Sequence, residues 1–175
     1  ESVEIINKLG GIPDGAVCYT VDPKDDNADA KKIFTDEYFV EKAKGYEKLG
    51  AKIITIKDMA GLVNPARIAT LMPKLKAAIN VPIDFHTHCT PGYGLASCVM
   101  AMMNGVDILD TNIWWFAEGS AAPAIELIYI FAKKMGIELE PPQGQFPKRI
   151  RPTERRASCR NRRFVRQSHR SRQSC

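Results

Sequence analysis

Two hydrophobic periods alternate along the chain. Short apolar runs recur at Ala16–Val21, Lys52–Ile56, Val81–Phe85 and Val106–Leu109. Polar or turn-forming residues close each run, as at the end of a buried strand. Between them lie longer stretches with helical spacing: Asp36–Leu49, Pro65 to about Ile79, Pro91–Asn104 and Ala121–Met135. Thr35 or Asp36 can cap the first of these, and Pro65 suits the first turn of the second. Gly50, Gly105 and Gly136 stand where helices stop, and Ile5–Leu9 reads as the end of a further helix stopped by Gly10-Gly11.

Strands alternating with helices predict βαβ units and a parallel sheet, an α/β fold. A complete TIM (β/α)8 barrel takes roughly 250 residues, so about four β/α units amount to half of one. Pattern alone leaves a doubly wound sheet open as well. The chain opens Glu1-Ser2-Val3-Glu4, with no Met and no basic leader, and we expect it to begin inside something larger.

The period is lost after Glu140, and the charge changes with it. Residues 141–175 hold eleven Lys and Arg against one acid, Glu154, a balance of +10. Residues 1–140 hold 14 bases and 19 acids, a balance of −5. We therefore expect a domain over 1–140 and an unstructured Pro/Arg/Ser-rich tail over 141–175, too poor in apolar residues to offset its ordering entropy. The abrupt change suggests a non-native continuation, such as a frame-shifted read, which translation of the other frames would test. Ten arginines between Arg149 and Arg172 would attract phosphates, but Phe164 is the one aromatic there. Nucleic-acid binding is accordingly the weakest reading. Five cysteines without a C-x-x-C spacing fit a reducing cytoplasm, and no apolar run is long enough for a membrane span.

In parallel α/β folds the chemistry gathers at the carboxyl ends of the strands. Lys57 follows the second run, His86 and His88 the third, and Asp110 the fourth. Residues i and i+2 of an extended segment share a face, so His86 and His88 can point the same way. Lys57 lies one β-α-β step earlier, on the neighbouring strand. Two imidazoles suit Zn, Co, Mn or Ni, whereas an ammonium has no lone pair to give. Lys57 can join only as a free amine or a carbamate, and burial would favour either. The blander alternatives stay open: a hydrogen-bonded histidine pair, and Lys57 paired with Asp58 or Asp84. Gly61 and Gly92 allow a tight turn or a close backbone approach. Met100, Met102 and Met103 read as core filler, and Cys89 as a buried thiol.

The segment Ile56-Lys57-Asp58-Met59-Ala60-Gly61-Leu62, followed by His86-Thr87-His88-Cys89-Thr90-Pro91-Gly92, resembles the carboxyltransferase domain of biotin-dependent enzymes. That family includes pyruvate carboxylase, the oxaloacetate decarboxylase α subunit and the transcarboxylase 5S subunit. Tyr19-Thr20-Val21-Asp22-Pro23 and Gly105-Val106-Asp107-Ile108-Leu109-Asp110-Thr111 resemble two further strands of it, and the likeness runs over about residues 1–140. The resemblance implies a TIM barrel with a divalent metal (Zn, Mn or Co) on His86, His88 and a carbamylated, catalytic Lys57. It implies carboxyl transfer between biotin, carried on another domain or subunit, and a 2-oxo acid such as pyruvate or oxaloacetate. There the metal acts as a Lewis acid on the oxo acid. The full protein is expected to be a homo-oligomer.

Several family features have no counterpart. The strand that supplies an Asp ligand is missing, as are the proton-shuttling Thr and the Met-Lys biotin-attachment motif. Trp114-Trp115-Phe116 stands where small residues are common, which implies a differently shaped pocket or an apolar loop packed on its neighbours. The segment around Lys57 separates this branch from the 3-hydroxy-3-methylglutaryl-CoA-lyase-like C–C lyases, which also carry H-x-H. A catalytically incompetent half barrel is the other alternative, and we expect this polypeptide to be inactive alone.

Overall fold

Every one of the four apolar runs contributes to one parallel sheet. The computed structural model describes residues 1–22 and 32–139, so the tail expected over 141–175 lies outside the described residues. The chain divides into two units, Glu1–Ile137 and Glu138–Cys175, and all the elements named below belong to the first. They run α1 (Ser2–Lys8), β1 (Asp14–Cys18), α2 (Asp36–Lys48), β2 (Ile53–Asp58), α3 (Pro65–Ala78), β3 (Ile83–Thr87), α4 (Gly94–Met103), β4 (Ile108–Leu109) and α5 (Ile125–Met135). A single 3-10 turn, Trp114–Phe116, lies between β4 and α5.

The strands are parallel and ordered β1-β2-β3-β4. Each lies beside its neighbour in sequence, and the order never reverses as it does in a doubly wound sheet. The architecture is that of a partial TIM-type barrel.

Local chemistry explains the helix ends. Thr35 accepts from the Tyr38 amide to cap α2, and Asn64 accepts from the Arg67 amide to cap α3, with Pro65 in its first turn. Gly136, at φ +71°, closes α5 in the left-handed region. Several expected boundaries move, among them the start of α5, at Ile125 rather than Ala121, and the end of β2, at Asp58 rather than Ile56. The β1 ladder starts two residues early, where Asp14 pairs with Ile53, and it stops at Cys18, although the Tyr19 amide still donates to the Lys57 carbonyl. β3 extends through Thr87, so His86 lies inside the strand. α4 begins at Gly94 because Pro91 and Gly92 are taken by a turn in which the Gly92 amide bonds the Cys89 carbonyl.

Register sorts the two central strands into two faces. Ile54 pairs with Ile83, Ile56 with Phe85, and Asp58 with Thr87; all six are fully buried. α2, α3 and α4 cover this side with Phe39, Ala43, Ile68, Leu71, Met72, Leu75, Cys98 and Ala101. Burying each large side chain of that set contributes about 1.5–3 kcal/mol. The opposite face carries the alternate pairs, Thr55 with Asp84 and Lys57 with His86. Of the methionines expected in the core, Met102 is buried, while Met103 is 63% exposed on the outer side of α4.

Candidate functional site

The site forms at the carboxyl ends of β2, β3 and β4. Strand alternation turns His86 away from the helix layer, and His88, two residues on, follows it. Their Nε2 atoms stand 3.1 Å apart. Each Nδ1 faces an acceptor: that of His86 lies 2.9 Å from a carboxylate oxygen of Asp110, and that of His88 lies 2.7 Å from the Ser120 carbonyl.

These acceptors fix the tautomers. A carbonyl or carboxylate oxygen opposite Nδ1 requires the proton there, which leaves a lone pair on each Nε2. Two lone pairs 3.1 Å apart repel unless a cation lies between them, either a proton shared by the rings or a metal ion. Two nitrogens bound to one ion at about 2.1 Å each stand roughly 3.0–3.4 Å apart, depending on the angle at the metal. The observed separation fits that range. A histidine whose far nitrogen is held by a carboxylate or carbonyl also has the outer-shell arrangement usual for metal-bound imidazole. The donor set therefore fits a divalent ion, and it equally satisfies a hydrogen-bonded pair.

Lys57 is opposite His86 in register, with Cys18 on its other side. Its side chain is exposed. Neither expected carboxylate pairs with it among the described residues. Asp58 is fully buried and accepts from the Leu62 amide (2.8 Å), the Val63 amide (2.9 Å) and the Thr87 hydroxyl (2.8 Å). Asp84 accepts from Thr55 at 3.0 Å. Among the described residues no group of three or more His, Cys, Asp or Glu is placed to hold a metal.

The sheet face below the histidines is acidic. The Thr55 hydroxyl lies 2.6 Å from Asp14 and 3.0 Å from Asp84. Burial, reinforced by the charge of Asp110, pushes the Asp84 carboxyl up to about 6. Cys89, beside His88, is buried as expected, and desolvation pushes its thiol up to about 12, with Glu118 acting in the same direction. That makes it a poor nucleophile.

Glycine roles divide between close approach and turning. At Gly61, φ is +69° and a Cβ would collide with the His88 carbonyl, so this glycine lets the loop after β2 pass against the histidine strand. Gly92, at φ +94°, faces open space and serves the turn alone. Gly94, which no sequence motif singles out, presses on the same carbonyl; a Cβ there would lie 2.6 Å from it. Nor does the sequence mark Ser120, Thr87 or Glu118. Ser120 acts through its backbone, 32 residues from its partner, which no residue type announces. Glu118 holds a left-handed φ of +67° while its side chain accepts from the Ala124 amide, anchoring the loop that presents Ser120. In the turn Trp114–Phe116, Trp114 and Trp115 are half-buried and Phe116 is exposed.

Residues 27–141 match the HMGL-like family. Pyruvate carboxylase from Staphylococcus aureus is 39% identical over 126 residues, which are 72% of this chain and 11% of that protein. A pyruvate carboxylase subunit from Methanocaldococcus jannaschii is 36% identical over 132 residues, 75% of this chain and 22% of that protein. Among solved structures, the carboxyl transferase domain of Rhizobium etli pyruvate carboxylase with pyruvate and biocytin aligns at a TM-score of 0.68 with 30% identity, covering 78% of this chain and 23% of the other. The chain thus spans less than a quarter of the length of these relatives.

Proposed function

The chain belongs to the HMGL-like family, and from that premise we propose that it is part of a biotin-dependent carboxyltransferase acting on a 2-oxo acid such as pyruvate or oxaloacetate. His86, His88 and a carbamylated Lys57 would hold its divalent metal. The observation that carries this reading is the pair of Nε2 atoms 3.1 Å apart, each ring anchored at its far nitrogen. The similar proteins and the aligned domain are pyruvate carboxylases, which favours carboxyl transfer over the C–C lyase alternative.

The chain's own residues have distinct parts. Asp110 and Ser120 keep both rings in the tautomer that offers Nε2. Lys57 becomes an anionic oxygen donor only by adding CO2 to its neutral amine with loss of one proton, and its place opposite His86 puts that donor beside the imidazoles. When bound, a divalent ion would supply Lewis-acid polarisation of the oxo acid's carbonyl. Biotin would arrive on a separate domain or subunit.

The test is the Co2+ affinity of this chain with and without bicarbonate, alongside oxaloacetate decarboxylation with added free biotin by the full-length protein that carries it, since the chain alone is expected to be inactive. We expect bicarbonate to tighten Co2+ binding in the native chain and to have no effect in Lys57→Arg. Binding that is indifferent to bicarbonate, or unchanged in His86→Ala, removes the proposed ligand set. Decarboxylation unaffected by biotin removes the proposed reaction.

A further inference from the structure

The pair Asp58 and Thr87 is out of place by the logic of its own surroundings. On β2 the helix-facing positions run Ile54, Ile56, Asp58, and on β3 they run Ile83, Phe85, Thr87. Two apolar rows are followed by one polar row, and this row is as fully buried as the other two. An apolar pair at that position would bury without desolvating a carboxylate. Taking a carboxylate out of water costs several kcal/mol unless its oxygens are matched by donors.

Asp58 is matched from both sides of the site. One oxygen accepts from the Leu62 amide. The other accepts from the Val63 amide and from the hydroxyl of Thr87. Leu62 and Val63 belong to the loop that leaves β2 after Asp58, where Gly61 passes against the His88 carbonyl. Thr87 is the residue between the two histidines. One buried carboxylate therefore ties the strand end carrying Lys57 to the backbone segment carrying both imidazoles.

We propose that Asp58 is a positioning residue for the His86/His88 pair and acts through the Thr87 hydroxyl. It never touches a ligand; it sets the rotation of the His86–His88 backbone about the β3 axis. Side chains alternate across a strand, so a bond that fixes Thr87 on the helix side fixes its two neighbours on the other side. The pair thereby keeps the two Nε2 atoms in register with each other and with Lys57. This inference rests on the metal-site reading for its ligand but not for its geometry.

Thr87→Val tests it, because valine keeps the size and β-branching and removes only the hydroxyl. Thr87→Ser, which keeps the hydroxyl, is the rescue, and Thr87→Ala is a second hydroxyl-free variant should valine prevent folding. Two readouts are taken on the intact chain: Co2+ affinity by competition with a chromophoric chelator, and ring nitrogen–proton correlations of the metal-free histidines. Thermal unfolding is followed in parallel. We expect Thr87→Val to weaken Co2+ binding by about ten- to a hundredfold, in line with outer-shell changes at metal sites. Its histidine rings should lose their uniform Nδ1-protonated pattern, while Thr87→Ser keeps both properties. A hydroxyl-free variant that melts earlier yet retains native Co2+ affinity and native ring signals overturns the proposal, since Asp58 and Thr87 would then be structural only. If the native chain itself binds no Co2+, the metal-site reading falls, and the ring signals decide alone: unchanged signals overturn the positioning role and altered signals support it.

Discussion

Lys57 and His86 face each other across adjacent parallel strands, as register partners 29 residues apart in sequence. One β-α-β step converts that separation into neighbouring strand ends, and His88 joins through the two-residue period of its segment. The His86–Asp110 contact of 2.9 Å extends the row to the end of β4.

The histidine pair should fail stepwise. His88→Ala removes one of two imidazoles and is expected to weaken Co2+ binding by well over a hundredfold. Asp110→Asn keeps the shape but removes the charge on His86 Nδ1, and a loss of about ten- to a hundredfold is expected. Chelator competition measures both. An Asp110→Asn protein with native affinity would show that the carboxylate does not tune the ring.

Gly61→Ala should destabilise the fold by about 2 kcal/mol or more, since it adds left-handed strain and a collision with the His88 carbonyl. Gly92→Ala carries the strain without the collision and should cost about 1 kcal/mol. Denaturant unfolding of the two variants measures the difference. Equal losses would mean that the loop after β2 yields to the methyl group.

Asp84 should give the stability a specific pH dependence. Burial holds its carboxyl up at about 6, above its unfolded value near 4, so the folded state binds the extra proton between those limits. Stability is then lost as pH rises from about 4 to 6 and is flat beyond, as far as this group is concerned. Asp84→Asn carries no charge to desolvate and keeps an oxygen that can accept from Thr55, and should be more stable than the native chain at pH 7 but not at pH 4. Parallel pH profiles of the unfolding free energy would expose the opposite slope if the carboxyl stays ionised.

Cysteine reactivity should follow burial. Cys18 is exposed at the end of β1, whereas Cys89 and Cys98 are buried with thiols pushed well up by desolvation. Iodoacetamide at pH 8, read by peptide mass spectrometry, should label Cys18 quickly and leave Cys89 and Cys98 unmodified until denaturant is added. Early labelling of Cys89 would mean that the loop holding Glu118 opens.

What the sequence reveals and what it withholds divide along a physical line. His86, His88 and Lys57 are legible because strand period and βαβ spacing are sequence quantities. Asp58 misleads as a partner for Lys57, since adjacency in sequence puts the two on opposite faces of one strand. Thr87 reads as a spacer for the same reason. Ser120 and Gly94 act through backbone atoms brought close by the fold, and a side-chain alphabet does not encode such contacts. Strand boundaries slip where the apolar run and the hydrogen-bond ladder part company, as at β1, whose ladder ends at Cys18 while the run continues to Val21.

The alternation on β2 and β3 has an evolutionary consequence. Positions 55, 57, 84 and 86 face away from the helices, and positions 54, 56, 58, 83, 85 and 87 face them. Substitutions in the first set can explore new chemistry without repacking the second, so reactivity and foldability vary as nearly separable traits. A one-residue deletion within either strand would exchange the two sets at once and abolish both. Lineages sharing this scaffold should therefore tolerate length changes in the loops between strand and helix and show almost none inside these two strands.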